Sequence, residues 1–278
     1  MTIETPFFIP DASRGFRFSR QGELLWLESL ALAEQGDVVH AFCTRRGGVS
    51  AGPFHSLNFS VSVGDDAVCV ERNRKIVSAA FGIPAAHFVT LRQVHGDDIA
   101  VIEGGTLGNP PKRSCDGLLS VESGSVLCIK TADCVPVLLA DTRRRGIGAV
   151  HAGWKGTARG IAGKAVRLMT ARFGTRPADI IAVIGPAIGR CCYEVDEPVR
   201  QEMRDVPGWR EMCVPSVREG RWMCDLPGAN RRQLAAAGVP EEHIHDAGLC
   251  TACHREVFFS HRGEGEPTGR QLNFIMRR

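Results

Sequence analysis

The chain has 278 residues, 44% of them hydrophobic and 23% charged, which is typical of a globular protein with a sizeable core. Its net charge of +3 is small and its Lys and Arg residues are scattered, so a nucleic-acid surface is not indicated and a small-molecule partner is favoured. The longest apolar stretch, near 180–188, is interrupted by Gly185 and Pro186 and falls well short of the ~20 residues that a membrane span needs.

Eleven cysteines are the unusual part of this composition. In a short secreted chain such a number would indicate a disulfide framework. Here the count is odd, the chain is long, and the start MTIETPFFIP lacks the basic and apolar segments of a signal peptide. We therefore expect a cytoplasmic protein in a reducing compartment.

Short runs rich in β-branched residues predict strands through much of the chain. In chain order they cover 38–44, 87–95, 125–131, 136–141, 147–153, 180–186, 256–262 and 270–276. Helical patterns follow the candidate N-caps Asp65 and Asp66 as far as Gly82, and also cover 157–173 and 227–238. Strands and helices alternate only through 125–186, so the pattern favours a mixed-sheet α/β or α+β layered fold without a linker or repeat.

Three side chains with nitrogen or sulfur donors lie at the ends of consecutive predicted strands. His95 closes LRQVHG, Cys134 lies in the turn TADCVP, and His151 ends GIGAVHAG. Groups just beyond strand ends share a crevice in α/β sheets. Two imidazoles and one thiolate suit Zn²⁺, and three protein ligands leave a fourth position open for chemistry. The alternative is two hydrogen-bonded histidines and a small buried thiol.

The segment HAGWKGT joins a predicted strand to a predicted helix. It contains Gly153, Lys155, Gly156 and Thr157, where free backbone N–H groups and the helix dipole favour an anion. We predict a phosphate site there, close to any ion held by His151. A tight turn with a solvated lysine is an equally good interpretation.

Two further cysteine motifs are predicted to be structural. CTACH (250–254) has the spacing of a c-type haem attachment, but that cofactor is attached outside a reducing compartment. Cys250 and Cys253 have no second CxxC pair to complete a zinc site, so we expect a turn with two buried or half-buried thiols. Cys191 and Cys192 are adjacent, cannot readily bridge each other, and are assigned to packing.

Several motifs together carry a family resemblance: TRRGGVSAGPFHSLNFS, VGDD, ERNRK, LRQVHG, CDGLLS, TADCVPVLLAD, VHAGWKGTARGI, IGPAIGRCCYEV and CTACHREVFFSHRGEGEPTGRQLNFI. From about residue 40 to the C-terminus the chain resembles the YfiH-type family, also called the laccase-domain or polyphenol oxidase family. The ordered set VHG, ADC and HAGW is highly specific to that family.

The resemblance implies one domain over 1–278, with an N-terminal extension of ~35 residues and a layered α/β/β/α, cysteine-hydrolase-like fold. It also implies a metal held by His95, Cys134 and His151. Family members are described as phosphorylases of adenosine, inosine and methylthioadenosine that also deaminate adenosine. Others are described as copper-dependent polyphenol oxidases or as peptidoglycan-editing hydrolases.

The number and type of candidate ligands and catalytic residues distinguish between these activities. Multicopper oxidation needs more histidines than one site with two of the nine can offer, although copper in the same pocket is conceivable. Deamination needs an activated water, which zinc supplies, and a proton carrier, for which Asp133 is the candidate. Phosphorolysis needs a phosphate, which HAGWKGT would hold with Lys155 or Arg45 of the TRRGGVS loop as counter-charge.

The sequence therefore predicts a zinc-dependent purine nucleoside phosphorylase with adenosine deaminase activity, acting on nucleosides and phosphate. A thiol hydrolase with Cys134 as nucleophile and His95 or His151 as base is the first alternative. A nucleoside-binding domain with a structural metal is the second.

Overall fold

A computed structural model describes residues 15–103 and 114–278 of the chain. In chain order the strands are β1 (Phe16–Gln21), β2 (Leu24–Ser29), β3 (Val38–Cys43), β4 (Phe88–Val89), β5 (Ile99–Ile102), β6 (Gly117–Ser120), β7 (Val126–Thr131), β8 (Val135–Asp141), β9 (Ile147–Ala152), β10 (Ile180–Ile184), β11 (Glu194–Asp196), β12 (Cys213–Pro215), β13 (Arg221–Cys224), β14 (Ile244–Asp246) and β15 (Gln271–Arg277). The helices are α1 (Leu30–Ala33), α2 (Ala67–Phe81), α3 (Trp154–Ala158), α4 (Ile161–Phe173), α5 (Glu197–Glu202), α6 (Trp209–Met212), α7 (Leu226–Ala236) and α8 (His261–Glu264).

Two six-stranded mixed sheets form the centre of the molecule. The first has the order β1-β2-β3-β15-β7-β4 and the second the order β14-β10-β8-β9-β6-β5. A small third sheet has the order β11-β13-β12. Residues 16–33 of the expected N-terminal extension add β1 and β2 to the first sheet, whereas residues 1–14 lie outside the described part.

Three apolar layers hold the sheets and helices together. One lies between the sheets and combines Phe42 and Ile129 of the first with Leu138 and Ala149 of the second. Because successive strand residues point to opposite faces, the same strands also contribute side chains to the two outer apolar layers. Helix α2 covers the first sheet, and α4 and α7 cover the second. The predicted mixed-sheet α/β/β/α arrangement is confirmed.

Most of the predicted elements match the structure. Asp66 caps α2 by accepting a hydrogen bond from the Val68 backbone N–H, and α2 ends at Gly82 as expected. The predicted helix over 157–173 is instead divided into α3 and α4, because Gly160 adopts a left-handed conformation with φ 76°.

Two predicted strands are wrong. Only Phe88–Val89 of the segment 87–95 is a strand, since the amides that follow bind a side chain rather than a neighbouring strand. The segment 256–262 forms turns, because the amides of Val257 and Phe258 bond back to the His254 carbonyl.

The expectation of reduced thiols is wrong for one cysteine pair. Cys213 on β12 and Cys224 on β13 are directly opposite each other in an antiparallel pair and form a disulfide, with their Cα atoms 4.2 Å apart. Within residues 15–103 and 114–278, the helices are all too short or too polar to cross a bilayer.

Candidate active site

Neighbouring strands of the second sheet bring the predicted ligands to one end of that sheet. His151 on β9 pairs with Pro136 of β8, so Cys134, just before β8, lies beside it. On the other side of β9, Val150 pairs with Gly117 of β6, which places Asp116 next to His151. The loop that carries His95 leads directly into β5, the neighbour of β6. The sheet order therefore explains how residues distant in sequence meet.

Asp116 fixes this arrangement, although the sequence reasoning gave it no role. Its carboxylate is fully buried and accepts hydrogen bonds from the backbone N–H groups of Val94 (3.2 Å), His95 (2.9 Å) and Gly96 (2.7 Å). The same carboxylate accepts from His151 Nδ1 at 2.8 Å. One anion thus holds the His95 loop in place and turns His151 Nε2 away from itself, towards the site.

The His95 backbone is held in an unfavourable conformation. His95 has φ 59° and Asp133, on the opposite side of the site, has φ 88°; both values are uncommon for residues other than glycine. Such conformations persist only where surrounding contacts enforce them, and they concentrate at functional sites. The three amide bonds to Asp116 supply that enforcement for His95.

The donor atoms of His95, Cys134 and His151 all lie within 4.8 Å of one another. The two imidazole rings meet edge to face, with centroids 4.9 Å apart. A Cβ atom at Gly153 would lie 2.9 Å from His95 Cδ2 and 3.3 Å from Cys134 Sγ, so only glycine fits there. Two imidazoles and a thiolate, with a carboxylate behind one imidazole, are a donor set that fits one zinc or copper ion.

The surroundings of Cys134 and His151 favour the charged forms of the thiol and the imidazole. Burial alone would raise the pKa of Cys134, but the charge of His151 and hydrogen bonds with both imidazoles outweigh it and lower the pKa to about 6. Burial would lower the pKa of His151, but the Cys134 thiolate and the Asp116 carboxylate raise it to about 9. The site therefore stabilises a thiolate, the form that binds metals and attacks electrophiles.

A cavity of about 1000 Å³ opens beside these ligands. Two aromatic side chains, Trp154 and Tyr193, line it together with the Lys and Arg side chains Arg92, Lys130, Arg221, Arg262 and Arg270. Burial lowers the pKa of Lys130 and that of Arg270, as expected for cations removed from water. Within residues 15–103 and 114–278, no carboxylate lies within ion-pair distance of either cation.

Asp133, the predicted proton carrier, lies on the cavity wall with its carboxylate fully engaged. It accepts hydrogen bonds from Thr251 Oγ1, Ser260 Oγ and the Arg262 backbone N–H, each at 2.6 Å. These contacts tie two C-terminal segments to the turn that carries Cys134.

The predicted phosphate residues do not converge on the cavity. Arg45 donates to Glu264 at 2.5 Å, bonds the His55 carbonyl and lies over the Phe259 ring. Thr157 is buried, and its hydroxyl accepts from Asn230.

Gly153, Lys155 and Gly156 of the HAGWKGT turn do not line the cavity either. A Cβ at Gly156 would lie 2.6 Å from the Gly96 carbonyl, so this glycine serves close backbone packing. Lys155 is exposed, with its ammonium 5.4 Å from the Trp154 ring centre. Only Gly153 of the predicted phosphate residues contacts the metal ligands.

The structure overturns the interpretation of the remaining cysteine motifs. Cys191 and Cys192 approach Cys250 and Cys253 so closely that all four Sγ atoms lie within 4.8 Å of one another. The second pair that the CxxC motif lacked in sequence is therefore the adjacent pair, which a search for a repeated CxxC cannot find.

Comparisons with known proteins show the family to which the chain belongs. Residues 39–278 match the family described as multi-copper polyphenol oxidoreductase laccase. The chain is 41% identical over 260 residues to purine nucleoside phosphorylase YlmD of Geobacillus stearothermophilus, covering 91% of this chain and 94% of that protein. It is also 41% identical over 238 residues to a purine nucleoside phosphorylase of Deinococcus radiodurans, covering 86% and 88%.

Two crystal structures resemble the fold over nearly its whole length. The structure of YlmD from Geobacillus stearothermophilus has a TM-score of 0.87 and 39% identity, covering 94% of this chain and 98% of that one. The structure of the Bacillus licheniformis hypothetical protein YfiH has a TM-score of 0.86 and 37% identity, covering 94% and 99%.

Substitution of Asp116 tests its role as the support of both histidines. Asp116→Asn keeps the shape but presents N–H groups to backbone donors, so we expect metal affinity to fall roughly 10- to 100-fold. Competition with a chromophoric chelator measures this affinity. Asp97→Asn, which removes a carboxylate that pairs with Lys164 near the surface, is the matched control and should leave the affinity unchanged. Equal metal affinities in both variants would show that Asp116 does not support the metal ligands.

The reactivity of Cys134 in metal-free protein should depend on pH in the direction of its lowered pKa. Because the thiolate is the reactive form, alkylation by iodoacetamide should be half-maximal at about pH 6. Peptide mass spectrometry across a pH series measures this for Cys134 alone. His151→Ala should move the midpoint upwards, and a wild-type midpoint near the ordinary thiol value of about 8.5 would contradict the ion pair.

Proposed function

Since the chain belongs to the multi-copper polyphenol oxidoreductase laccase family, we propose that it is a zinc-dependent purine nucleoside phosphorylase that also deaminates adenosine. The relatives named purine nucleoside phosphorylase supply the reaction class. Adenosine, inosine and methylthioadenosine are the proposed nucleosides, with inorganic phosphate as the second substrate and a cytoplasmic location.

One observation carries this proposal: three ligands meet at the wall of a cavity that is large enough for a nucleoside and a phosphate. These three donors could hold one ion, and a three-ligand set is the kind that leaves a coordination position for a water or a substrate atom. Zinc in this site would lower the pKa of a water to about 7 and act as a Lewis acid. His95, Cys134 and His151 would hold the ion, and Asp116 would orient His151.

For phosphate, the cavity favours Lys130 and Arg270 over the residues predicted from sequence. Both cations line the cavity, are partly buried, and lie beyond ion-pair distance of every carboxylate in the described ranges. An incoming phosphate dianion would restore the balance of charge that their burial disturbs. Lys155 and Arg45 have no such need, because Lys155 is solvated and Arg45 is paired with Glu264.

For the purine, the cavity offers aromatic surfaces and a neutral hydroxyl. Trp154 and Tyr193 provide flat apolar faces for a purine ring. Burial and the nearby Cys134 thiolate raise the pKa of Tyr193, so its phenol stays protonated. We assign Tyr193 as a hydrogen-bond donor to the purine, and Asp133 as a positioning residue that keeps Thr251, Ser260 and Arg262 against the cavity.

A thiol hydrolase is the second candidate, because one observation favours it. Cys134 hydrogen-bonds with His151, and His151 donates to Asp116, which is the order of a nucleophile, a base and an orienting carboxylate. In that mechanism the thiolate must be free of metal. Multicopper oxidation has less support, because the donor atoms of His95, Cys134 and His151 lie close enough together for one metal ion, not for several.

Adenosine turnover with and without phosphate distinguishes these functions. Chromatography should show adenine release only when phosphate is present, inosine formation in its absence, and loss of both activities after chelation or in His95→Ala. Product formation that survives chelation would point to the thiol hydrolase. Substrate binding without any product would indicate a binding domain.

A matched pair of lysine variants locates the phosphate. Lys130→Met should raise the KM for phosphate roughly 10- to 100-fold, as expected for the loss of one charged hydrogen bond. Lys155→Met, which removes an exposed cation of the same kind, should leave that KM unchanged. A raised KM in Lys155→Met but not in Lys130→Met would indicate that phosphate binds at the HAGWKGT turn.

A further inference from the structure

Four cysteines form a second cluster, and none of them lines the cavity. Cys191 and Cys192 follow the turn after β10, and Cys250 and Cys253 follow β14. The Sγ atom of Cys253 lies 3.6 Å from that of Cys191 and 3.5 Å from that of Cys192, and all four Sγ atoms lie within 4.8 Å of one another. None of these four cysteines forms a disulfide.

The sulfur separations match those around a single ion. A disulfide would bring two sulfurs to about 2.05 Å, far closer than observed. Four thiolates at about 2.3 Å from one zinc ion stand about 3.8 Å apart at the corners of a tetrahedron. An iron–sulfur cluster contains several irons and inorganic sulfides, so its cysteines are spread more widely than these.

The backbone of both segments is arranged around the sulfurs. Ala187 and Cys250 form a parallel bridge, and the Thr251 amide bonds to the Ala187 carbonyl at 3.0 Å. The Gly189 N–H donates to Cys250 Sγ at 3.2 Å, a contact that stabilises a thiolate. A Cβ at Gly189 would lie 3.2 Å from both Cys191 Sγ and Cys250 Cβ, so the turn is as tight as glycine allows.

We propose that Cys191, Cys192, Cys250 and Cys253 bind one Zn²⁺ ion in a closed, structural tetrathiolate site, separate from the site at His95, Cys134 and His151. Binding displaces the protons of the four thiols and involves no change of oxidation state. All four coordination positions are taken by protein sulfur, so this ion has no position for a substrate.

Such an ion would fasten two segments that build the cavity. Tyr193, which lines the cavity, directly follows Cys192. Thr251, which donates to Asp133, directly follows Cys250, and the Ile188 amide bonds to the Asp133 carbonyl at 2.8 Å. The proposed zinc would therefore hold the wall that carries Tyr193 and Asp133 without contacting substrate.

Zinc content of protein purified without chelators tests the proposal. Wild type and Cys69→Ser, a control on α2 outside both clusters, should contain about two zinc ions per chain. Cys134→Ser and Cys253→Ser should each contain about one, and the double variant none. X-ray absorption of Cys134→Ser should show a shell of about four sulfurs at about 2.3 Å. If only the site at His95, Cys134 and His151 did not bind zinc, wild type would contain one zinc ion and Cys253→Ser none.

Alkylation of native wild-type protein, read by peptide mass spectrometry, does not depend on the folding of any variant. The four cysteines should stay unmodified until a chelator is added, although Cys191 and Cys253 are exposed. Rapid modification of all four before chelation, a disulfide among them, or a Cys134→Ser protein without metal would each overturn the proposal.

Discussion

The buried carboxylate of Asp116 is the contact on which the rest of the site depends. An isolated buried charge is costly, and breaking a buried charged pair costs about 3–5 kcal/mol. Asp116 avoids this cost by accepting from three consecutive backbone amides and one imidazole. The chain can satisfy that carboxylate only when the His95 loop, β6 and β9 are all in place. The pairing of β6 with β9 in the second sheet therefore also positions the two histidines of the site.

Asp133 plays a parallel part on the opposite side. The chain passes from the first sheet to the second between β7 and β8, and Asp133 adopts φ 88° within this short crossing. Its carboxylate binds Thr251, Ser260 and Arg262, so the crossing is fixed by the C-terminal part of the chain. Two aspartates, one on each side of Cys134, thus hold backbone in conformations that are unfavourable without them. We regard both as positioning residues for the thiolate between them.

The sequence predicts the regular parts of this molecule and the three donor residues that the structure brings together, and it fails where long-range contacts decide. Helix α2 is predictable because its cap and stop signals are local, and His95, Cys134 and His151 stand out through their motifs. Asp116 also lies in a family motif, CDGLLS, but nothing local indicates what it binds, since its four partners lie about 20 or 35 residues away. Lys130 is a lone cation within an otherwise buried strand, which is a local sign of a functional role.

The residues predicted to hold phosphate show how little a local pattern says about contacts. Glycines and a hydroxyl after a strand are typical of an anion site, but packing against α7 and against the His95 loop explains Thr157 and Gly156 here. Cys191 and Cys192 were misjudged for a related reason, because their partners belong to a turn about 60 residues away. Local motifs reveal which residues are unusual, whereas only the fold reveals what they contact.

The central claim is that two imidazoles and one thiolate hold a single catalytic ion at the cavity wall. Anomalous diffraction from crystals of protein purified without chelators, recorded on both sides of the zinc absorption edge, tests it most directly. The account predicts a zinc peak bonded to His95, Cys134 and His151 at about 2.0–2.3 Å, with its remaining position facing the cavity. A map with no peak at these three side chains, in crystals whose protein is active, would contradict it.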